Sequence, residues 1–158
     1  MPMSLDVVLD STAVRIATSG PILLVQFRDK VSVSTLNALE AAQERMLRAQ
    51  SGGTLLLTMI DPSVPLPTDD ARAIIVDTFK RMSSRNAAAA TVVRGDGFWA
   101  SAIRSTLTAL NLVVRPGCPQ RTFAHVDEAI DWLRTHDTAG SIDARGVVSS
   151  IESLTATT

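Results

Sequence analysis

The chain has 158 residues with a formal net charge of −1 at pH 7, and 46% of its residues are hydrophobic. This length and composition predict a single folded domain rather than a disordered chain. The charge balance gives no basic face for nucleic acid, and no apolar run reaches the roughly 20 residues of a membrane-spanning helix.

The N-terminal residues and the number of cysteines indicate the cellular compartment in which the protein is expected. The first ten residues lack the basic and apolar segments of a secretory signal. Cys118 is the single cysteine, which excludes an internal disulfide framework. We therefore expect a cytoplasmic protein.

The first third of the chain predicts a β-hairpin followed by a helix. Residues 13–17 and the apolar run 22–27 flank a Gly-Pro turn, a pattern typical of two antiparallel strands. A helix is predicted from about residue 32 to residue 49, with Ser32 or Ser34 as its N-cap.

The middle of the chain predicts a buried strand, a stiff loop and an amphipathic helix. Residues 54–60 are apolar on both faces, as expected for a central parallel strand. Three prolines stiffen residues 61–67, and Thr68 caps the helix that follows. The inward face of that helix has the helical period: Ala71, Ile74, Ile75, Thr78, Phe79 and Met82.

The C-terminal half repeats the alternation of strand and helix. Residues 87–93 predict another buried strand, residues 121–124 a short strand, and residues 126–134 a short helix. Between the two strands a helix presents one largely apolar face: Phe98, Trp99, Ala102, Ile103, Thr106, Leu107 and Leu110.

The element order predicts an α/β fold with a mostly parallel sheet. Strands alternating with helices give a sheet of about five strands covered by about four helices, and the N-terminal hairpin adds an antiparallel strand. Residues 5–9 extend the first strand or precede it. We expect one domain over residues 4–136 and a Ser/Thr-rich tail over residues 137–158.

The loop 59–71 and the closing segment 122–133 lie within a wider pattern of elements that spans residues 22–133. These segments resemble the STAS family, which includes anti-sigma-factor antagonists and the tails of sulfate transporters. The resemblance implies a non-enzymatic regulatory module that binds another protein. The related Sec14-like fold implies an alternative, the binding of a small apolar ligand or lipid.

The chain departs from the STAS pattern at the phosphorylated serine. Anti-sigma-factor antagonists carry an Asp-Ser-Ser-Gly motif at the start of the second helix, where this chain has Thr68-Asp69-Asp70-Ala71. Asp69 matches the family's aspartate, but the acceptor position is Asp70 or Ala71. A serine-phosphorylation switch is therefore not expected. Asp70 is a fixed negative charge or simply a first-turn residue that complements the helix dipole.

The sequence contains no motif for a metal, a cofactor or a nucleophile. His125, His136 and Cys118 do not form a metal-ligand spacing, and Cys118 has no base beside it in the sequence. The glycines around Asp96 fall short of a nucleotide-binding loop. We therefore predict no metal, no cofactor and no enzymatic activity, with an uncharacterised hydrolase or transferase as the minor alternative.

The candidate partner-binding residues lie in two loops after the predicted parallel strands. Open α/β sheets bind ligands and partners at this edge. Prolines in the first loop reduce the ordering cost of docking another protein. The candidate residues are Asp61, Ser63, Thr68, Asp69, Asp70, Arg94 and Asp96.

Apolar stripes on the second and third helices keep the ligand-binding alternative open. Such stripes either form core or enclose a pocket between helix and sheet. The stripe residues are Phe79, Met82, Phe98, Trp99 and Leu107. A pocket of about 300 Å³ or more would favour the ligand over the protein partner.

The tail contains four apolar residues: Val147, Val148, Ile151 and Leu154. They need a groove on their own domain or on a second copy of the chain. We predict a homodimer through this tail, because twofold pairs are the commonest assemblies.

Overall fold

The computed structural model describes residues 5–50, 52–62, 64–114, 117–138 and 140–155. These residues form one mixed sheet and five helices. The strands are β1 (Asp6–Asp10), β2 (Val14–Ser19), β3 (Ile22–Phe27), β4 (Thr54–Ile60), β5 (Asn86–Val93) and β6 (Gln120–Phe123). The helices are α1 (Val33–Ala49), α2 (Asp69–Ser83), α3 (Gly97–Val114), α4 (Val126–Arg134) and α5 (Ala144–Thr155).

The six described strands lie in the sheet in their order along the chain. β1, β2 and β3 pair antiparallel, whereas β3, β4, β5 and β6 pair parallel. Leu56 of β4 is the register partner of Ala89 in β5. This arrangement confirms the predicted mixed α/β sheet and its N-terminal hairpin. The estimate of five strands was one short, because residues 6–10 form an edge strand of their own.

The two faces of the sheet are covered by different helices. α1 and α2 pack on one face, around Leu23, Val25 and Leu56. α4 and α5 pack on the other, around Leu24 and Leu57. Side chains alternate between faces along each strand, so the doubly apolar strands β3 and β4 feed both cores.

A buried polar network fixes α1 and α2 at the amino end of the parallel strands. The two amide protons of Gln43 in α1 are shared among three acceptors, namely Asn86 Oδ1 at 2.8 Å, Thr54 Oγ1 at 3.2 Å and the Met82 carbonyl at 3.2 Å. Thr54 donates to the same Asn86 oxygen at 2.6 Å. Four elements are thereby joined by hydrogen bonds that water does not reach.

The tail folds back onto its own domain as α5. Val147 and Ile151 are fully buried in the core beneath α4 and α5. At the C-terminal end of α5, the Leu154 carbonyl accepts a hydrogen bond of 2.6 Å from Arg15 Nη1.

Arg15 is buried, and its charge is paired with the carboxylate of Asp10 at 3.3 Å. The guanidinium of Arg15 lowers the pKa of the Asp10 carboxyl, and Arg28 adds to this effect.

The docking of α5 bears on the predicted homodimer. The sequence predicts a dimer because the apolar side chains of the tail need a groove that shields them from water, either on their own domain or on a second copy. Val147 and Ile151 are shielded by their own chain, and Val148 packs against the same core. A dimer is therefore not needed to shield them from water.

Asn86→Ala should lower the free energy of unfolding by about 2 kcal/mol, because it removes the acceptor of the buried Thr54 hydroxyl and the shortest hydrogen bond of the buried Gln43 amide. Urea unfolding followed by circular dichroism measures the change. Asn37→Ala, the same substitution at an exposed position of α1, serves as the matched control and should change stability by less than about 0.5 kcal/mol. Equal effects of the two substitutions would contradict a structural role for the network.

Ile151→Ala should lower the free energy of unfolding by about 3 kcal/mol, because it empties a fully buried site. Since α5 packs within one chain, the unfolding midpoint of the wild type should not change with protein concentration. Exposed Glu152→Ala is the control on the same helix. A midpoint that rises with concentration in the wild type, but not in Ile151→Ala, would place the tail on a second copy instead.

Candidate functional site

A pocket of about 270 Å³ lies between the sheet and helices α2 and α3. Its floor is formed by Leu56, Thr58 and Ile60 of β4, together with Ala89 and Thr91 of β5. These positions alternate along their strands, which places them on the face that α1 and α2 also cover.

Two helices and a loop form the walls of this pocket. α2 contributes Ile75, Val76 and Phe79. α3 contributes Trp99, Ile103 and Leu107, which are spaced by four residues and so lie along one side of the helix. The loop residues 64–67 border the pocket next to α2. The lining is therefore mainly aliphatic and aromatic.

The pocket exists because α3 packs loosely. Among the side chains of α3 whose burial is described, Ala100 alone is fully buried, and Trp99, Ile103 and Leu107 are half-buried. The strand beneath is short of bulk on this face, since β5 contributes the small side chains of Ala89 and Thr91 to the pocket, while Ala88 and Ala90 pack on the opposite face. Small side chains below and a loosely packed helix above leave room that a tightly packed core would fill.

The polar groups of the lining are few and mostly uncharged. Thr58 and Thr91 are register partners on the floor. Asn111 and Gln120 line the side nearest to β6. Arg72 is the one charged residue among the described lining residues, and its side chain is 59% exposed and lies 3.6 Å from Asp69.

Cys118 lies in the core beside Gln120. Burial raises the pKa of its thiol, and hydrogen bonds with Gln120 and Asn86 only partly oppose that rise. The thiol is therefore protonated near neutral pH, whereas nucleophilic attack requires the thiolate. This environment fits a core residue.

The structure brings together two of the candidate partner-binding residues, Asp61 and Arg94. Arg94 Nη1 lies 3.6 Å from Asp61 Oδ1, and Gln26 donates to Asp61 Oδ2 at 3.1 Å. Their loops touch as well, because a Cβ on Gly95, whose φ is +100°, would lie 3.0 Å from Pro62 Cγ. Neither Asp61 nor Arg94 lines the pocket.

The other candidate residues have local roles or stand in solvent. Thr68 is the N-cap of α2, and its hydroxyl accepts from the Ala71 amide at 3.3 Å. Asp69 pairs with Arg72, while Asp70 and Asp96 are exposed. Ser63 lies outside the residues that the structure describes.

The predicted apolar stripe of α3 is partly corrected by the structure. Trp99, Ile103, Thr106 and Leu107 line the pocket as the stripe predicts. Phe98 does not, because it lies about 100° around the helix from Trp99 and is 90% exposed. On α2, Phe79 lines the pocket and Met82 is buried in the core. The apolar stripe of α2 therefore contributes both to the pocket wall and to the core.

Sequence reasoning missed Thr58, Thr91, Asn111 and Gln120 as pocket residues. A signal was available for Thr58, which interrupts the otherwise apolar run of residues 55–60. A hydroxyl in a buried strand needs a partner, which is a reason to look for a ligand there. Asn111 and Gln120 carry no such signal, since only the packing of α3 against β6 brings them to the pocket.

The two histidines lie at opposite ends of helix α4. His125 occupies the N-cap position of α4 without a side-chain capping bond. The His136 ring packs edge-on against Trp132 at 4.7 Å. Within the described ranges, no group of three or more histidine, cysteine or acidic residues is arranged to hold a metal ion. Within the same ranges, no helix has the length and apolar character that crossing a bilayer requires.

Comparison with known proteins places the fold. No family model and no curated protein matches the chain. Its structure is similar to the crystal structure of an uncharacterized protein of the DUF3478 family from Shewanella loihica PV-4, described as having a SpoIIAA-like fold. The TM-score is 0.53 at 11% sequence identity, over 83% of this chain and 93% of that chain. The chain therefore has a SpoIIAA-like fold of the STAS type, as its sequence pattern predicts.

Proposed function

We propose that this protein is a non-enzymatic regulatory module that binds a small apolar ligand between its sheet and helices α2 and α3. The observation that carries the proposal is the pocket, which has a mainly apolar lining and a volume of about 270 Å³. Ligand pockets are typically apolar cavities with a few polar groups that fix orientation. Thr58, Thr91 and Asn111 have that character here.

The volume limits the size of the ligand. An engineered apolar cavity of about 150 Å³ accommodates benzene. The present pocket, at about 270 Å³, is nearly twice as large, but it falls short of the roughly 300 Å³ that would favour a ligand over a protein partner by volume alone. The apolar lining of the pocket, rather than its size, supports the ligand function. A two-ring aromatic or a short acyl chain matches this volume better than a diacyl lipid.

A second function, docking of another protein at the loop edge, is favoured by a separate observation. Phe98 is 90% exposed and Leu66 is 67% exposed, and both lie after the carboxyl ends of parallel strands. Acidic residues accompany them on the same edge, namely Asp69, Asp70 and Asp96. Exposed apolar side chains with polar residues around them are typical of protein-interaction surfaces.

The two functions share a structural element. Leu66 belongs to the loop 64–67 that borders the pocket, and it is also the exposed apolar residue of the docking edge. A ligand that orders this loop would change the surface offered to a protein partner, and the partner would change ligand affinity by the same factor. This coupling gives a regulatory output without a phosphorylated serine.

Binding of 2-methylnaphthalene tests the ligand function. The wild type should bind it with a dissociation constant in the micromolar range in equilibrium dialysis. Ile103→Trp, which places a larger side chain in the pocket, should weaken binding at least tenfold, about 1.4 kcal/mol. Leu112→Trp makes a similar change on the outer side of α3, where Leu112 is 77% exposed, and should leave binding unchanged. Absence of binding to the wild type, or equal loss in both variants, rejects the proposal.

Substitutions at the loop edge test the docking function. A protein cross-linked to the wild type in its native cell extract should be lost with Asp69→Lys and with Phe98→Ala. Since both side chains are exposed, the free energy of unfolding should change by less than about 0.5 kcal/mol. Asp131→Lys, an equivalent charge change on exposed α4, is the control and should retain the partner. Retention by all three variants argues against docking at this edge.

A further inference from the structure

We infer that the ligand of this pocket is an uncharged small amphiphile whose hydroxyl or carbonyl group bonds to Thr58 and Thr91 on the pocket floor. The inference rests on the proposed ligand-binding function and adds the chemical class of the ligand. It follows from the hydrogen-bonding state of the floor and from the distribution of charge around the pocket.

The two threonines form a polar spot in an apolar floor. They are register partners on neighbouring parallel strands, which lie about 4.8 Å apart in a sheet. Thr58 is 6% exposed, and its neighbours on the pocket face of β4 are Leu56 and Ile60. The two threonines thus lie side by side on the pocket floor, where one polar group of a ligand can contact both.

These hydroxyls have unused hydrogen-bonding capacity. Among the residues that the structure describes, no side chain or backbone group forms a hydrogen bond with the hydroxyl of Thr58 or Thr91. Thr106, which also lines the pocket, differs because it donates to the Ala102 carbonyl of its own helix at 2.8 Å. Each free hydroxyl offers one donor and two acceptor positions.

An entirely apolar ligand would leave these groups unsatisfied. A buried hydroxyl without a partner is unfavourable, and a ligand that covers it with carbon excludes the water that would otherwise bond to it. A ligand hydroxyl or carbonyl restores the lost bonds. The floor therefore favours a ligand with one polar group over its apolar analogue of the same shape.

The charges around the pocket disfavour an ionised ligand group at the floor. Arg72 is the one charged side chain in the described lining, it is largely exposed, and Asp69 already lies 3.6 Å from it. Asn111 and Gln120 are neutral amides. An ion on the floor would be desolvated without a buried countercharge, which is costly.

The test compares three probes of similar shape: 2-naphthol, 2-methylnaphthalene and 2-naphthoate. In equilibrium dialysis at pH 7 the wild type should bind 2-naphthol about three- to tenfold more tightly than 2-methylnaphthalene, the gain expected for a net hydrogen bond, and 2-naphthoate most weakly. The Thr58→Val/Thr91→Val double variant keeps the side-chain shape and should reverse the preference between the first two probes. Thr108→Val, at an exposed position of α3 outside the pocket lining, removes a hydroxyl that donates to the Arg104 carbonyl at 2.9 Å, and it should preserve the preference.

Two results would overturn the inference and leave the proposed function intact. One is binding of 2-methylnaphthalene at least as tight as that of 2-naphthol, with sensitivity to Ile103→Trp retained. The other is tightest binding of 2-naphthoate with loss of that preference in Arg72→Gln, which would place an anion at Arg72. Failure of all three probes to bind the wild type rejects the proposed function and the inference together. Should the double variant fold poorly by circular dichroism, Thr91→Val alone, at a half-buried position, is expected to reduce the naphthol preference.

Discussion

The central strands are apolar on both sides, and the need to cover both faces of the sheet governs the rest of this structure. Leu23 and Leu24 of β3 point to opposite faces, as do Leu56 and Leu57 of β4. Each face must be shielded from water by helices, because exposed leucine and valine side chains would forfeit the main favourable contribution to folding. The connections between strands decide which helix covers which face.

The parallel part of the sheet places α1, α2 and α3 on one side. β3, β4, β5 and β6 follow one another in a single direction across the sheet. Crossovers between parallel strands are right-handed, so successive crossovers in one direction put their helices on the same face. The other face depends on α4 and α5, which follow the last strand. The C-terminal helix α5 is thus part of the core, with Val147 and Ile151 fully buried.

The two faces differ in how well they are filled, and this difference creates the site. α4 and α5 form a continuous core with β3, β4 and β5. On the opposite face, α1 and α2 are held at the amino end of the strands by the Gln43–Asn86 network, whereas α3 buries a single described side chain completely. The unfilled volume lies between α2 and α3. Helix α2 begins at the segment where anti-sigma-factor antagonists carry their phosphorylated serine, and here it forms a pocket wall.

Local pattern was sufficient to predict most of the elements of this protein. The bounds of β4, the N-caps Ser32 and Thr68, and the alternation of strands with helices all follow from short-range periodicity and capping chemistry. Such features depend on residues a few positions apart, which the sequence displays directly. The resemblance to the STAS family led to the fold for the same reason, since it is a resemblance of element order.

Long-range packing decided the remainder. The sequence left open whether the stripe on α3 forms core or encloses a pocket; in the structure Trp99, Ile103 and Leu107 line the pocket, and Phe98 is 90% exposed. The sequence likewise left open whether the tail docks on its own domain. The answer lies in contacts between distant parts of the chain, namely the burial of Val147 and Ile151 in the core and the hydrogen bond between Arg15 and Leu154, which are 139 residues apart. Periodicity indicates which face of a helix or strand is apolar. Only the tertiary structure determines which element packs against that face and whether side chains fill the volume between the two elements.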